Sequence, residues 1–250
     1  VATVAGVYLF LHLPILVLVV FSFNASKFSV DWTGFSLEWY RRLAERDDIL
    51  HGLRASLAVG IAATALSTVL GTLIALALAR HRFRGRRTVE AFLYVPIVTP
   101  EIVVGISLLI LFVLVRLPLG LGTITIAHVA FCISFVVVVV LARLEGMDRS
   151  LEEAAMILGA DEVTTFWKVT VPQLWPGIIS GALLAFTMSF DDFVITSFVA
   201  GPGSSTLPLV VYSMVRRNIE PTINAISTLI LAVTTVLIYV ADRYSREHAR

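Results

Sequence analysis

The stretch Ser150-Leu-Glu-Glu-Ala-Ala-Met-Ile-Leu-Gly-Ala-Asp-Glu-Val-Thr-Thr-Phe-Trp-Lys-Val-Thr-Val-Pro172 is a polar segment set between two long apolar runs. Ser150 followed three residues later by Glu153 is the pattern of a capping box and predicts a helix that starts at Ser150. Glu152 to Leu158 are good helix formers. Gly159 suits the left-handed position that ends a helix, and Asp161 suits the cap of a second short helix carrying Val163, Phe166 and Trp167. Two short helices therefore meet at a glycine bend. Ala154, Ala155 and Ala160 leave little side-chain bulk, so another protein can approach the backbone closely, and Phe166 and Trp167 are of the type enriched at interface hot spots. Two readings stand at this point: a docking element, or an ordinary capped connector.

The flanks decide the class. Hydrophobic residues make up 58% of the 250 and charged residues 15%, against about 25% charged in soluble domains, and the mean hydropathy is +0.90. Uncharged stretches long enough to cross the hydrocarbon as helices of about 20 residues number six, at about 4–23, 55–79, 91–115, 122–142, 177–199 and 222–241. The expectation is an all-α membrane protein whose 250 residues form a single transmembrane domain, with the polar loop at 150–172 between the fourth and fifth spans. A further apolar stretch, Leu207 to Val215, is too short to span and comes after a Gly-Pro-Gly-Ser-Ser turn signal, so it reads as a loop or a short surface helix. Pro14, Pro96 and Pro100 fall in or near spans and predict kinks there. The first apolar run has no basic stretch ahead of it and continues for about 20 residues, so it reads as a span rather than a signal peptide.

Orientation is read from lysine and arginine. With the amino terminus inside, the cytoplasmic segments hold Arg80, Arg82, Arg84, Arg86, Arg87, Arg143, Arg149, Lys168, Arg243, Arg246 and Arg250, eleven in all; the external ones hold Lys27, Arg41, Arg42, Arg46, Arg216 and Arg217, six. The positive-inside rule thus places both termini, and the 150–172 loop, in the cytoplasm. The arginines at 80–87 read as a topology anchor, with a lipid-headgroup site as the other reading.

Within the loop, Glu153-Ala154-Ala155, three residues, Gly159, nine residues, Val169, one residue, Val171 and Pro172 resemble the E-A-A-x3-G-x9-I-x-L-P loop of permease subunits in bacterial ABC importers of the binding-protein-dependent type, with Val in place of Ile and Leu. The resemblance covers essentially the whole chain and is narrowed towards spermidine/putrescine permeases by Phe21-Ser-Phe-Asn24, Gly34-Phe-Ser-Leu-Glu-Trp-Tyr40, Tyr94-Val-Pro96 with Pro100-Glu-Ile-Val103, and Ser189-Phe-Asp-Asp192 followed by Ser197-Phe-Val199, Gly201-Pro202 and Leu207-Pro208. It implies the type I permease fold of six helices. It also implies that the loop is a coupling helix fitting a cleft in an ATPase subunit, with Glu153 and Gly159 carrying the docking geometry beside Ala154, Ala155, Ala160 and Phe166. The implied partners are a second, homologous permease subunit, two ATPase subunits that use ATP and Mg, and a periplasmic or lipoprotein substrate-binding protein, all at the bacterial inner membrane.

The spans carry their own chemistry. A carboxylate in the middle of a transmembrane helix costs roughly 2.5–3.5 kcal/mol on insertion scales, so it faces a cavity, a partner or a substrate path. Glu101 lies about ten residues into the third span, and Asp191 and Asp192 about two-thirds along the fifth. No Lys or Arg lies comparably deep, since Arg54 and Arg116 fall at span ends. Carboxylates without an internal cation suit a small cationic substrate such as a polyamine. On one continuous helix Asp192 shares a face with Ser189 and Thr196, which favours it over Asp191 for lining a path; Phe190, Phe193 and Tyr212 supply aromatic faces for cation–π contact. The competing readings are structural: Glu101 as the cap of a helix restarted after Pro100, the aspartates hydrogen-bonded to a broken helix or to a partner, and the aromatics as packing. His12 and His128, isolated in apolar spans, are expected to hydrogen-bond across helices rather than to bind metal.

Between Asn24 and Leu50, an apolar and aromatic set (Phe35, Leu37, Trp39, Tyr40, Leu43) followed by charges predicts a short amphipathic helix at the outer surface. It reads either as a receiver for the binding protein or as an interfacial brace. The lone Cys132 offers neither a disulfide nor a cysteine-rich metal site. There is no G-x-x-x-x-G-K-[ST] loop, so the chain does not bind ATP by that route. No constellation for covalent catalysis stands in a polar segment, and the basic residues track membrane sidedness rather than a nucleic-acid face. The sequence is thus read as a non-enzymatic permease subunit for a cationic solute. The same machine with another cargo (an opine, an amino acid derivative, a phosphonate) and a proton-coupled secondary transporter remain as alternatives.

Overall fold

The computed structural model describes residues 2–27, 31–217 and 221–247. Twelve α-helices succeed one another among them: α1 (Ala2–Phe21), α2 (Glu38–Ala44), α3 (Asp47–Arg80), α4 (Arg86–Val98), α5 (Glu101–Leu114), α6 (Leu121–Glu145), α7 (Ser150–Ile157), α8 (Glu162–Thr165), α9 (Val171–Asp191), α10 (Val194–Val199), α11 (Leu207–Arg217) and α12 (Pro221–Glu247). A π-helical turn, Phe166–Thr170, joins α8 to α9, so that the backbone is helical from Glu162 to Asp191.

Each apolar stretch of the sequence is helical, but two of the expected spans are broken. Among the described residues, four helices are long and apolar enough to cross a bilayer (Thr3–Phe21, Asp47–Arg80, Leu121–Glu145 and Glu162–Asp191), and α4 with α5 makes a fifth candidate bent by 114°. The bend lies at Thr99 and Pro100. Proline has no N–H to continue the helix and drives the residue before it out of helical geometry, and Thr99 is extended at φ −77°, ψ 136°. The fifth expected span, drawn to Val199, stops at Asp191 because Asp192 is extended (φ −66°, ψ 123°); the chain restarts as α10. Pro14 and Pro96 sit inside continuous helices. The 207–215 stretch is helical, with Leu207, Val210 and Met214 buried along one side of α11 rather than lying free at a surface.

The chain separates into two compact units, 1–54 with 206–247 and 55–205. In the second, α6 is central and packs on α9, α4, α5 and α10; Ile124, Ala127, Cys132, Val136 and Val140 are wholly buried there beside Leu174, Ala185 and Val199. Small residues set the spacing. Val136 fits against Gly71 of α3 and Gly181 of α9, where an added Cβ would meet its side chain. Such close approach is how membrane helices gain contact without a hydrophobic drive between them. In the first unit, α2 buries Trp39 and Leu43 and packs on α12, as expected for an amphipathic helix. Trp39 Nε1 donates to the Asn24 carbonyl at 2.6 Å, which ties α2 to the chain leaving α1.

Gly201 is held against the Leu119 carbonyl, and a Cβ there would overlap that oxygen. Gly201→Ala should therefore lower the thermal midpoint of the detergent-solubilised protein, on the scale of the roughly 1–3 kcal/mol of an overpacked site. Gly122→Ala, at a helical position with open space around it, should leave the midpoint unchanged or raise it, by up to about 1 kcal/mol of helix propensity.

Candidate functional site

The two helix breaks are where the spans carry charge. Glu101 opens α5 directly after Pro100 and is exposed. Its negative charge lies at the positive end of that helix's dipole, so the residue fits the restart locally as well as facing outward. Gly105, one turn further on, sits against Phe198 and the backbone of Ile195 in α10, where a Cβ would clash. Ile195 in turn follows Asp191 by four residues, across the break at Asp192. The helices restarted after the two breaks thus pack on each other; Glu101 lies about one turn, roughly 6 Å of rise, from that contact, and Asp191 precedes it across the second break.

Asp191 and Asp192 differ sharply. Asp191 is the exposed last residue of α9. Asp192 is 5% exposed and turned inward. Its Oδ2 accepts the Thr196 N–H at 2.7 Å and the Thr196 hydroxyl at 2.7 Å, while Oδ1 accepts the Ile195 N–H at 3.3 Å, so it caps the first turn of α10. His128 of α6 completes the cluster at 1% exposure. Its Nε2 lies 3.2 Å from Asp192 Oδ2 and 2.9 Å from Thr196 Oγ1, and its Nδ1 lies 2.7 Å from Ser189 Oγ. One assignment satisfies every atom: Nε2–H donates to Asp192 and Thr196, and the Ser189 hydroxyl donates to Nδ1. Serine, histidine and aspartate stand in a row here, but Ser189 is 4% exposed, so no substrate reaches its hydroxyl. The cluster is a fastening for the break, not a nucleophile.

The geometry departs from the expectation that Asp192, Ser189 and Thr196 share an open face. The three side chains do turn to one side, since all of them meet His128, but α6 covers that side. Once Asp192 is extended, Thr196 belongs to a different helix, and the outward position passes to Asp191. Phe190 stacks on Phe186 at 5.6 Å, a packing contact, and Phe193 lies between the two helices. Tyr212, on α11 in the other compact unit, has the Arg216 guanidinium over its ring at 5.0 Å. His128 bonds across helices as expected, whereas His12 is turned to the Tyr8 carbonyl of its own helix at 2.8 Å.

The 150–172 segment forms as expected except at its start. The capping box is not made: Arg149 takes the cap position without a side-chain bond, Ser150 lies inside the first turn, and Asp148 Oδ1 accepts the Ser150 N–H at 2.9 Å. Asp148 is a residue earlier than the capping box requires, and its carboxylate serves the same donor-rich end. The helix stops as predicted. Gly159 has φ +94°, its N–H bonds the Met156 carbonyl, and Ala160 N–H bonds the Ala155 carbonyl, each at 3.0 Å, which is a Schellman motif. Asp161 caps α8 by accepting the Thr164 N–H at 2.8 Å, and the Thr164 side chain, with that N–H second, holds its carboxyl below the ordinary range. Glu153 and Ala154 are exposed, Ala155 and Ala160 partly so, and Ile157 and Leu158 stand 85% and 88% exposed beside Trp167 at 64%. Phe166 is partly buried against the core of its unit and meets the Trp167 ring edge-on at 5.2 Å.

His128 is the residue to which sequence reasoning gave no role in the site; the signal was a lone titratable group in an apolar span, which must find partners inside the protein. His128→Ala strands a buried carboxylate with one donor fewer and should lower the thermal midpoint in detergent, by the equivalent of roughly 2–3 kcal/mol. His128→Asn, which can still donate, should lose less.

Residues 67–247 match the family described as binding-protein-dependent transport system inner membrane component. The spermidine/putrescine transport system permease protein PotC of Escherichia coli (strain K12) is 40% identical over 245 residues, 98% of this chain and 93% of the relative. The putrescine transport system permease protein PotI of the same organism is 44% identical over 241 residues, 94% and 86% of the two chains. Among solved structures, a chain of a bacterial ABC transporter involved in the import of the acidic polysaccharide alginate aligns with TM-score 0.76 at 18% identity, over 97% of this chain and 94% of the other. A chain of the MetNI methionine ABC transporter in an inward-facing conformation aligns with TM-score 0.65 at 18% identity, over 86% and 100%. The fold is therefore that of ABC importer permeases, and the chain belongs to the family of binding-protein-dependent transport system inner membrane components.

Proposed function

We propose that this chain is one permease subunit of an ATP-driven importer that carries polyamines, putrescine or spermidine, inward across the cytoplasmic membrane by alternating access. The observation that carries the cargo reading is that each of the two helix breaks presents an exposed carboxylate, Glu101 and Asp191. Irregular backbone at membrane depth is tolerated where it is enclosed by protein or lines a water-filled cavity, and two separated carboxylates suit the separated ammonium groups of a polyamine. The similarity to PotC and PotI over nearly the whole chain supports the same cargo. The alginate and methionine transporters share the fold and say nothing of what passes through this one.

The exposed segment points to the remaining machine. The turn at Gly159 leaves Ile157, Leu158 and Trp167 largely exposed as an apolar set, and an ATPase subunit is the partner that fits a permease of this family. ATP and Mg are then the ATPase subunits' cofactors. The positive-inside count supports a cytoplasmic position for this segment and both termini, and a position for α2 and the chain leaving α1 on the side of the substrate-binding protein. A second, homologous permease subunit completes the pathway, with Asp191 and Glu101 facing it.

Uptake of radiolabelled putrescine by the assembled importer in proteoliposomes tests this reading. Asp191→Asn and Glu101→Gln should each raise the half-saturating concentration about tenfold, as expected for loss of one charged contact, and inactivating the ATPase subunits should abolish uptake. Uptake that persists without ATP hydrolysis would overturn the ABC mechanism. Tight binding of a neutral or anionic solute, and not of a polyamine, by the substrate-binding protein would overturn the cargo.

A further inference from the structure

Glu152 joins three segments that lie far apart in the sequence. Its side chain, on the first turn of α7, is 13% exposed. Oε1 accepts from the guanidinium of Arg80, the last residue of α3, and from the hydroxyl of Thr170, the last residue of the π-helical turn, at 2.6 Å. Arg80 also reaches the Thr170 hydroxyl at 3.4 Å, and Arg149 donates to the Ala79 carbonyl at 3.2 Å, satisfying one of the open carbonyls at the end of α3. The carboxylate is therefore a junction between α7, the end of α3 and the base of α9.

The element on its far side is the π turn that leads into α9. In the π turn, the Val171 N–H bonds the Phe166 carbonyl five residues back, which lodges one extra residue in the helix. Closing that turn to α geometry would rotate α9 by about 100°, and α9 runs unbroken to Asp191. Thr170, whose hydroxyl is held by Glu152, sits at the end of this turn.

We propose that Glu152 is the positioning residue that transmits displacement of α7 to α3 and α9 together, through Arg80 and Thr170. The inference rests on the reading of α7 as the contact for an ATPase subunit. A partly buried ion pair with a shared hydroxyl is stiffer than an exposed pair, because removing either member leaves the other poorly solvated. With the junction intact, α7 cannot move without both helices. With it cut, α7 moves with the ATPase while α3 and α9 lag, so hydrolysis continues and transport does not.

The test is the number of putrescine molecules taken up per ATP hydrolysed by the complete importer in proteoliposomes. Glu152→Gln, which keeps an acceptor for Thr170 but removes the charge facing Arg80, should lower that ratio about tenfold, and Thr170→Val about threefold, with hydrolysis kept within about twofold. The exchanged pair, Arg80→Glu with Glu152→Arg, should recover a large part of the loss. Equal losses of uptake and hydrolysis, or an unchanged ratio in both single variants, overturn the proposal. Thr170→Val removes a single hydroxyl and carries the test alone should Glu152→Gln fail to assemble. Absence of ATP-driven putrescine uptake by the unmodified importer would instead strike the proposed function, since the ratio compares variants that share one cargo.

Discussion

In hydrocarbon, a backbone N–H or C=O without a partner costs several kcal/mol, and every irregular point in a spanning helix has to be compensated from within the protein. This chain breaks two of its apolar helices, at Thr99-Pro100 and at Asp192-Phe193. The first break repairs itself locally, with Val103 and Val104 N–H groups turned to the Pro100 carbonyl. The second needs a carboxylate and an imidazole. Asp192 accepts from the first turn of α10, and His128 holds that carboxylate from α6, so one buried polar cluster fixes three helices. The packing of α5 on α10, and the outward position of Asp191, both depend on it.

The same solution recurs outside the apolar core. Glu152 is a partly buried carboxylate bound by a guanidinium and a threonine hydroxyl, as Asp192 is bound by an imidazole and a threonine hydroxyl. Both join segments distant in sequence, and both lie beside an exposed acidic neighbour, Glu153 in one case and Asp191 in the other. In each Glu-Glu or Asp-Asp pair, one member secures the scaffold and the other is left facing outward. α9 with its π turn runs between the two clusters, from Thr170 to Asp191, and gives one continuous helical connection from the exposed segment to the break.

Much of the fold was legible because its rules are local. Apolar length located the helices, Gly159 and Asp161 marked where α7 stops and α8 begins, and the Trp39 and Leu43 spacing gave α2 its buried side. The capping box failed for a local reason too: Asp148 takes the Ser150 N–H that Glu153 would have accepted, and a pattern match does not weigh competitors. The site was legible only in its residue types. A helical wheel drawn through Asp192 assumes the helix continues, and nothing in Ser189-Phe-Asp-Asp192 announces that it stops, since no proline or glycine stands there. Phe166 and Trp167 form a similar case, equal as sequence and separated by packing.

The sequence alone therefore determined the class, the positions of the apolar helices and the identity of the acidic residues within them, because hydropathy, chain length and local hydrogen bonding act over one or two turns. Tertiary structure decided which of two adjacent carboxylates is enclosed, what His128 and Arg80 are for, and how the break at Asp192 is held. Those outcomes turn on partners 61 to 72 residues away in the chain, whose proximity only the packed protein creates. The 150–172 segment shows both sides: its turn is written in Gly159, while its attachment through Glu152 exists only once α3 and α9 have come together.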